Sequence, residues 1–315
     1  MSLEKVLVTG ATGFIGAAVV KKLVTLLGIQ VWAGARDSVN EFPEKVISFP
    51  LGDIGRSTSC GSLSGISTIV HCAARVPVIE ARCPIEDFRE VNVNGTLKLA
   101  RRASQDGVRR FIFISSVKVN GEATSLGRPY HAHDAPSPQD PYGLSKLEAE
   151  QGILAVAEET GLEVVIIRPP LVYGPSVKGN FANMIKLVDH GIPLPLGAIH
   201  NKRSLVGIDN LVDLIIRCIE HPAAANQLFL ASDGEDLSTT ELLRSVGNAM
   251  GKPVRLIPVP AGLLQLGATI LGKRAMAQRL LGSLQVDISK TCEVLGWKPP
   301  YTVEEGLKRC FERSN

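Results

Sequence analysis

Short apolar runs alternate through the first half of the chain with stretches whose apolar positions recur at helical spacing. Lys5-Val-Leu-Val-Thr-Gly10 is the first run, and the Val19, Val20, Leu23, Leu26 face after it predicts a helix. Gln30-Val-Trp-Ala-Gly-Ala35, Val46-Ile47-Ser48-Phe49, Ile69-Val-His-Cys-Ala-Ala74, Phe111-Ile-Phe-Ile114 and Leu162-Glu-Val-Val-Ile-Ile-Arg168 read as further strands. A helix opens at Asn92 and runs on through Leu97 and Leu99, and another starts near Tyr142 and runs to about Glu159. Regular β-α-β-α alternation predicts an α/β fold with a doubly wound parallel sheet.

Beyond Pro169-Pro170 the pattern changes. Pro and Gly punctuate the segment from Gly174 to Gly207, which reads as loops and short helices. Ser204 to Ile208 reads as a strand, Asp209 to Glu220 as a helix, and Leu228 to Ala231 as a last strand returning to the sheet. From Asp236 the chain is helical again. The expected division is a dinucleotide-binding domain over 1–172 and about 205–232, with a small, mostly helical, sequence-discontinuous substrate domain over about 173–204 and 233–315.

Composition changes this picture little. With 45% apolar and 21% charged residues in 315, the chain is an ordinary globular enzyme by content. A net charge of +3 is too small to argue for a nucleic-acid partner or an acidic membrane surface. Cysteines 60, 72, 83, 218, 292 and 310 form no CxxC pair and read as reduced thiols of a cytoplasmic protein, and no signal peptide opens the sequence. The uncharged run from Ile257 to Gly272 holds two prolines, falls short of a membrane span, and is expected as a buried helix of the small domain.

The candidate chemistry lies at strand ends. Gly10, Gly13 and Gly16 punctuate a strand-to-helix turn through which the backbone can approach a pyrophosphate at a helix N-terminus. Gly10, Thr12, Gly13, Phe14, Ile15 and Gly16 are therefore the expected cofactor cradle. The second strand ends in Ala35-Arg36, where an NAD site usually carries an acid. The arginine suits a 2′-phosphate and tilts the cofactor toward NADP(H) over NAD(H), although a solvated Arg36 beside Asp37 is the plainer reading. Asp53, with Ile54, is placed at the adenine, and the small Ala73 and Ala74 let the cofactor lie against the backbone. His71, inside an apolar strand, reads as a satisfied core histidine. His131, Ala132, His133 and Asp134 read as surface loop rather than a metal site. Ser115-Ser116 end the Phe111–Ile114 strand, and Tyr142 and Lys146 lie one helical turn apart. An ammonium beside a phenol is expected to lower the tyrosine pKa, and a serine can hold the reacting oxygen.

Thr9-Gly-Ala-Thr-Gly-Phe-Ile-Gly16, Ser115-Ser116, Tyr142-x-x-x-Lys146 and Arg168-Pro169 together resemble the extended short-chain dehydrogenase/reductase family, most closely its nucleotide-sugar epimerase/dehydratase branch. The resemblance implies a Rossmann-type fold, Tyr142 as general acid/base, Lys146 on the nicotinamide ribose, and Ser116 on the reacting oxygen. It further implies Asn92 as a structural asparagine beside the cofactor, Arg203 on a substrate diphosphate, and Ser115, Asn180 and Phe181 at the substrate. A UDP-sugar substrate and a homodimer are implied as well.

Departures narrow the reaction. Ser116-Val117-Lys118 stands where 4,6-dehydratases carry Thr-Asp-Glu, which argues against dehydration. Ala35-Arg36 tilts the expectation toward an NADP(H)-dependent 4-ketoreductase of a UDP-4-keto sugar, with an NAD-dependent 4-epimerase as the alternative. A reductase of a non-sugar ketone and a non-enzymatic NADP sensor are the more distant readings.

Overall fold

In the computed structural model, which describes residues 3–36, 42–55, 61–77, 83–272 and 274–312, the first apolar run forms β1 (Glu4–Thr9) and turns at once into α1 (Phe14–Leu23). β2 (Ile29–Ala35), β3 (Val46–Pro50) and β4 (Thr68–His71) follow, then α2 (Ile85–Phe88), a π-helical stretch over Arg89–Gly95, and α3 (Thr96–Gln105). β5 (Arg110–Ile114) leads through a 3₁₀ turn at Val117–Val119 to α4 (Pro141–Thr160) and β6 (Glu163–Arg168). Next come β7 (Leu171–Tyr173), α5 (Asn180–Asp189), β8 (Arg203–Gly207), α6 (Ile208–Glu220), β9 (Gln227–Leu230) and β10 (Asp236–Leu237). The chain closes with α7 (Thr239–Ala249), α8 (Ala261–Ile270), α9 (Arg274–Leu281), α10 (Ser289–Leu295) and α11 (Val303–Phe311).

Seven strands form one parallel sheet in the order β3-β2-β1-β4-β5-β6-β9. The fold is the expected doubly wound, Rossmann-like sheet. Alternate strand residues feed opposite cores: Val6, Val8 and Ile112 pack with Val19, Leu23, Leu211 and Ile215 of α1 and α6. Leu7, Ile69, Phe111 and Phe113 pack with Leu99, Ala149 and Ile153 of α3 and α4. Burial on both faces is why these strands read as unbroken apolar runs. The order reverses between β1 and β4, and ligands of such sheets bind beyond the carboxyl ends at that point.

The second half differs from expectation in two places. β8, expected with the dinucleotide-binding part, pairs instead with β7 and antiparallel β10 in a separate three-stranded sheet. Its core is Tyr173, Phe181, Leu205, Leu243 and Leu307. Asp233 ties that sheet to α6, accepting from the Tyr173 hydroxyl at 2.7 Å, Gly207 N at 2.8 Å and Asn210 Nδ2 at 2.7 Å. The apolar run after Ile257 does form a helix, α8, but none of its residues is buried. Nothing among the described residues covers it on its outer side, so its apolar character does not report a core position. No helix of the described residues is long and apolar enough to cross a membrane. Cysteines 72, 83, 218, 292 and 310 are free, and Cys60 lies outside the described residues.

α4 begins where Asp140 caps the Gly143 amide at 2.6 Å with Pro141 in the first turn, and stops at left-handed Gly161 (φ 78°). Its inner side carries a buried carboxylate. Glu150 accepts from Arg168 Nε at 2.9 Å and Nη2 at 2.5 Å, and from the Ser115 hydroxyl, while Arg168 Nη1 donates to Asn120 Oδ1 at 3.0 Å. Glu150 and Arg168 are 2% and 3% exposed, so this bidentate pair lies out of reach of solvent. Breaking such a pair leaves a buried charge uncompensated, which costs about 3–5 kcal/mol. Glu150→Gln is therefore expected to lower the unfolding free energy by about that amount, read from urea denaturation. A loss within the noise of the extrapolation would show that the pair does not hold α4 to the sheet.

Candidate active site

The glycine turn between β1 and α1 is a backbone cradle with no room for side chains. Gly10 sits at φ +64°, and a Cβ there would meet Ala73 N at 2.8 Å, while one on Gly16 would lie 2.2 Å from Gly10 O. Gly13 precedes α1 with no side chain capping the first-turn amides, so those N–H groups stand free for an anion. Thr12 and Gly13 are exposed, and Phe14 and Ile15 half-buried. The turn thus fits a pyrophosphate.

The floor beside it is set by a histidine. Thr9 Oγ1 accepts from Ala73 N at 3.2 Å and lies 2.7 Å from His71 Nδ1, and His71 Nε2 lies 3.0 Å from Thr96 Oγ1. Each threonine hydroxyl can donate or accept, so both ring nitrogens are satisfied in either neutral tautomer. Burial, with Lys146 nearby, pushes His71 down to about 3, so the ring is neutral at any working pH. It is a satisfied core histidine, and it pins the Ala73 amide against the glycine turn. Ala73 and Ala74 are half-buried and line this edge.

Ala35 is buried at the end of β2, and Arg36 is exposed, whereas Asp37 lies outside the described residues. Asp53 is exposed and its carboxylate accepts from Gly55 N at 3.1 Å, closing a local turn. Ile54 is half-buried, its carbonyl so close to Gly95 that a Cβ there would come within 2.8 Å. Asn92 sits in the π-helical stretch rather than at the opening of a regular helix. Its side chain brackets Arg75, accepting from N at 2.8 Å and donating to O at 3.0 Å, and also donates to Ser145 Oγ at 3.0 Å. The amide therefore fixes the loop after β4 to α4; a wide helical turn provides the reach.

Ser116 and Tyr142 meet. Ser116 caps the 3₁₀ turn, its Oγ accepting from Lys118 N at 3.3 Å, and its hydroxyl acts on the Tyr142 phenol to lower its pKa. Lys146 follows one turn along α4, 1% exposed, with Nζ 4.1 Å from the centroid of the Phe113 ring. The expected depression of the phenol does not occur. Burial, and then the Asp140 carboxylate, raise Tyr142 to about 12, against the pull of the Ser116 hydroxyl. Lys146 acts electrostatically on His71 and Cys72 instead. The ammonium bears its own penalty: desolvation pushes Lys146 down to about 7, with Glu150 in partial opposition.

Two residues expected at the substrate are committed elsewhere. The Ser115 hydroxyl points away from Ser116 into the Glu150–Arg168 pair, as neighbours on an extended segment must. Phe181 is 1% exposed and stacks on Tyr173 with ring centroids 5.5 Å apart, in the core of the second sheet. Asn180 is exposed at the start of α5. Arg203 is half-buried at the start of β8, donates from Nη1 to Gly282 O at 2.9 Å, and has no carboxylate partner among the described residues. Burial lowers its pKa, so its charge is poorly solvated and available to an anion. In the loop before α4, Asp134 accepts from His131 N at 2.7 Å and His131 stacks on His133; among the described residues no three His, Cys, Asp or Glu gather to hold a metal. Sequence reasoning missed Asp140 and Glu150. Glu150 was visible only as an acid four residues past Lys146 on an inward stripe.

Residues 6–230 match the family described as NAD dependent epimerase/dehydratase. The chain is 50% identical over 310 residues, 97% of this chain and 94% of the other, to UDP-glucose 4-epimerase of Vibrio cholerae. Among solved structures it resembles UDP-glucose 4-epimerase of Thermotoga maritima with UDP-glucose (TM-score 0.77, 25% identity, 97% of both chains). It also resembles UDP-glucuronic acid 4-epimerase of Bacillus cereus in complex with NAD (TM-score 0.77, 20% identity, 97% and 96% covered), a likeness of fold.

A lysine whose folded pKa is about 7 binds fewer protons than the unfolded chain between there and the ordinary lysine value, so its contribution to stability rises with pH across that window. At and below about 7 the burial penalty is felt in full. Lys146→Met is thus expected to melt at higher temperature than the native chain at neutral pH, with the gap closing as pH rises toward 10. Melting curves across that range check it; a variant less stable at every pH would contradict the buried-charge penalty.

Proposed function

The chain belongs to the NAD dependent epimerase/dehydratase family of extended short-chain dehydrogenase/reductases, and we propose that within it the protein is an NAD-dependent 4-epimerase of a UDP-hexose. The observation that carries the reading is the 50% identity to a UDP-glucose 4-epimerase across 97% of the chain. This reverses the preference for a 4-ketoreductase drawn from Ala35-Arg36. Arg36 is exposed and free to reach a 2′-phosphate, which keeps an NADP(H)-dependent UDP-4-keto-sugar reductase as the second reading.

Gly10, Gly13 and Gly16 would hold the pyrophosphate, Ala73 and Ala74 the adjoining face, and Lys146 the nicotinamide ribose. Bound there, the nicotinamide supplies the hydride acceptor and, when oxidised, a positive charge. Tyr142 exchanges a proton with the oxygen on the sugar C4, and Ser116 holds that oxygen through the same hydroxyl that acts on the phenol. A phenol near 12 is a donor at neutral pH; it turns into a base only when positive charge is brought beside it. Arg203 receives the diphosphate, its fork free apart from the bond to Gly282. For the quaternary state, we propose a homodimer paired through α2, α3 and α4, working in the cytoplasm.

Mass spectrometry of nucleotide released on denaturing the purified protein separates the two readings: NAD is expected, whereas NADP or an empty site favours the reductase. Tyr142→Phe is expected to lose nearly all turnover of UDP-glucose to UDP-galactose while retaining nucleotide, and Ser116→Ala to lose about 10²–10³ in kcat. Undiminished turnover in Tyr142→Phe would refute the assignment. UDP should raise the melting temperature of the native chain and leave Arg203→Ala unchanged.

A further inference from the structure

One face of the second half serves no part of the chemistry above. α8 presents Leu263, Leu266 and Ile270 at i, i+3 and i+7 along a single stripe, continued by Leu271, and these four are 60 to 77% exposed. Ile257 and Leu280 extend it, so six of the fourteen large apolar side chains left exposed among the described residues fall within 24 residues. An apolar stripe of this kind needs a cover.

The charge around it identifies the cover. No Asp or Glu stands between Glu241 and Asp287, whereas six Lys and Arg do, in a chain whose net charge is only +3. Arg255, Arg274 and Arg279 are exposed and make no ion pair among the described residues, and Lys252 pairs with Asp189. Arg274 begins α9, which packs against α8, three residues beyond Leu271. Exposed apolar side chains with unpaired cations close by in the chain suit a surface that is greasy within and anionic at its edge. A second copy fits poorly: a two-fold contact through this stretch would bring two sets of arginines into one patch with no Asp or Glu of the stretch to pair them. At ten residues, α8 is about 15 Å long, too short to cross a bilayer and suited to lie in its interface.

We propose that the α8–α9 pair is a docking face for an anionic phospholipid bilayer, holding the protein at the membrane surface with Leu263, Leu266, Ile270 and Leu271 among the headgroups and Arg255, Arg274 and Arg279 on the lipid phosphates. Nothing in this depends on which sugar is turned over.

The test is co-sedimentation of the full chain with vesicles of phosphatidylcholine alone and with vesicles containing about a third phosphatidylglycerol. Binding is expected to the anionic vesicles only, and to fall away at high salt. The double variant Arg274→Ala, Arg279→Ala should partition about 30-fold less, at about fivefold per arginine, and Leu266→Glu should not bind. All these side chains are exposed, so the variants should melt with the native chain. No binding to the anionic vesicles, equal binding to neutral ones, or full binding by Leu266→Glu would overturn the proposal. So would a fall in particle mass by light scattering in Leu266→Glu, which would give the face to a second copy.

Discussion

Tyr142, Lys146 and Glu150 stand at intervals of four along α4, so a phenol, an ammonium and a carboxylate share one inward stripe of a single helix. Putting charge there is unfavourable, since Lys146 is 1% and Glu150 2% exposed. The arrangement persists because Arg168, at the end of β6, meets Glu150 with two hydrogen bonds. That pair closes α4 onto the sheet and fixes how deep the helix sits, and therefore where the phenol above it can lie. Remove it, and the packing of Ala149, Ile153 and Val156 is left to set the depth of the stripe alone.

The same joint divides two neighbouring serines. Ser115 turns inward to Glu150 and Ser116 outward to the phenol, so one extended step of the chain links the structural pair to the proposed reacting pair. On the other side of α4, Asn92 bonds Ser145 and brackets Arg75, while His71, held between Thr9 and Thr96, fixes Ala73 against the glycine turn. Each contact is short and fully satisfied. Together they join the cradle, the loop after β4 and the reacting hydroxyls into one body with little freedom to drift, which chemistry at a fixed carbon demands.

Much of this was legible in the chain. Unbroken apolar runs gave the parallel sheet because its strands are buried on both faces, and the glycine spacing gave the cradle because backbone contact at Gly10 and Gly16 forbids a side chain. The i, i+4 spacing placed Tyr142 and Lys146 correctly on a helix. It could not supply the electrostatics, which depend on burial: desolvation raises the phenol and lowers the ammonium, against the simple expectation of a charged neighbour. Nor could a motif tell which of two adjacent serines faces the cleft, or that Phe181 turns into the Tyr173 core. Those are questions of side-chain direction set by tertiary contacts. α8 misled for a related reason, since apolar composition reports that a segment needs cover without saying whether the chain itself provides it.

The division of the strands between two sheets bears on how one such scaffold can serve different substrates. The proposed proton and hydride chemistry rests on the seven-stranded sheet and α4, where Lys146 and Glu150 are buried and Ser116 and Tyr142 half-buried. Arg203 belongs to the smaller sheet, tied to the larger one through Asp233, Tyr173 and Asn210 and otherwise packed in its own core. Residues there can change without disturbing the Glu150–Arg168 joint, so under the proposed roles choice of sugar and choice of chemistry are separable. The balance between epimerisation and reduction follows a different line. In the proposed mechanisms both use the same hydroxyl pair, and they part on whether the cofactor stays between turnovers, a difference on which Arg36, exposed after Ala35, would bear. A trio proposed for both reactions alike therefore cannot separate them, and what favours epimerisation is the 50% identity to a UDP-glucose 4-epimerase across 97% of the chain.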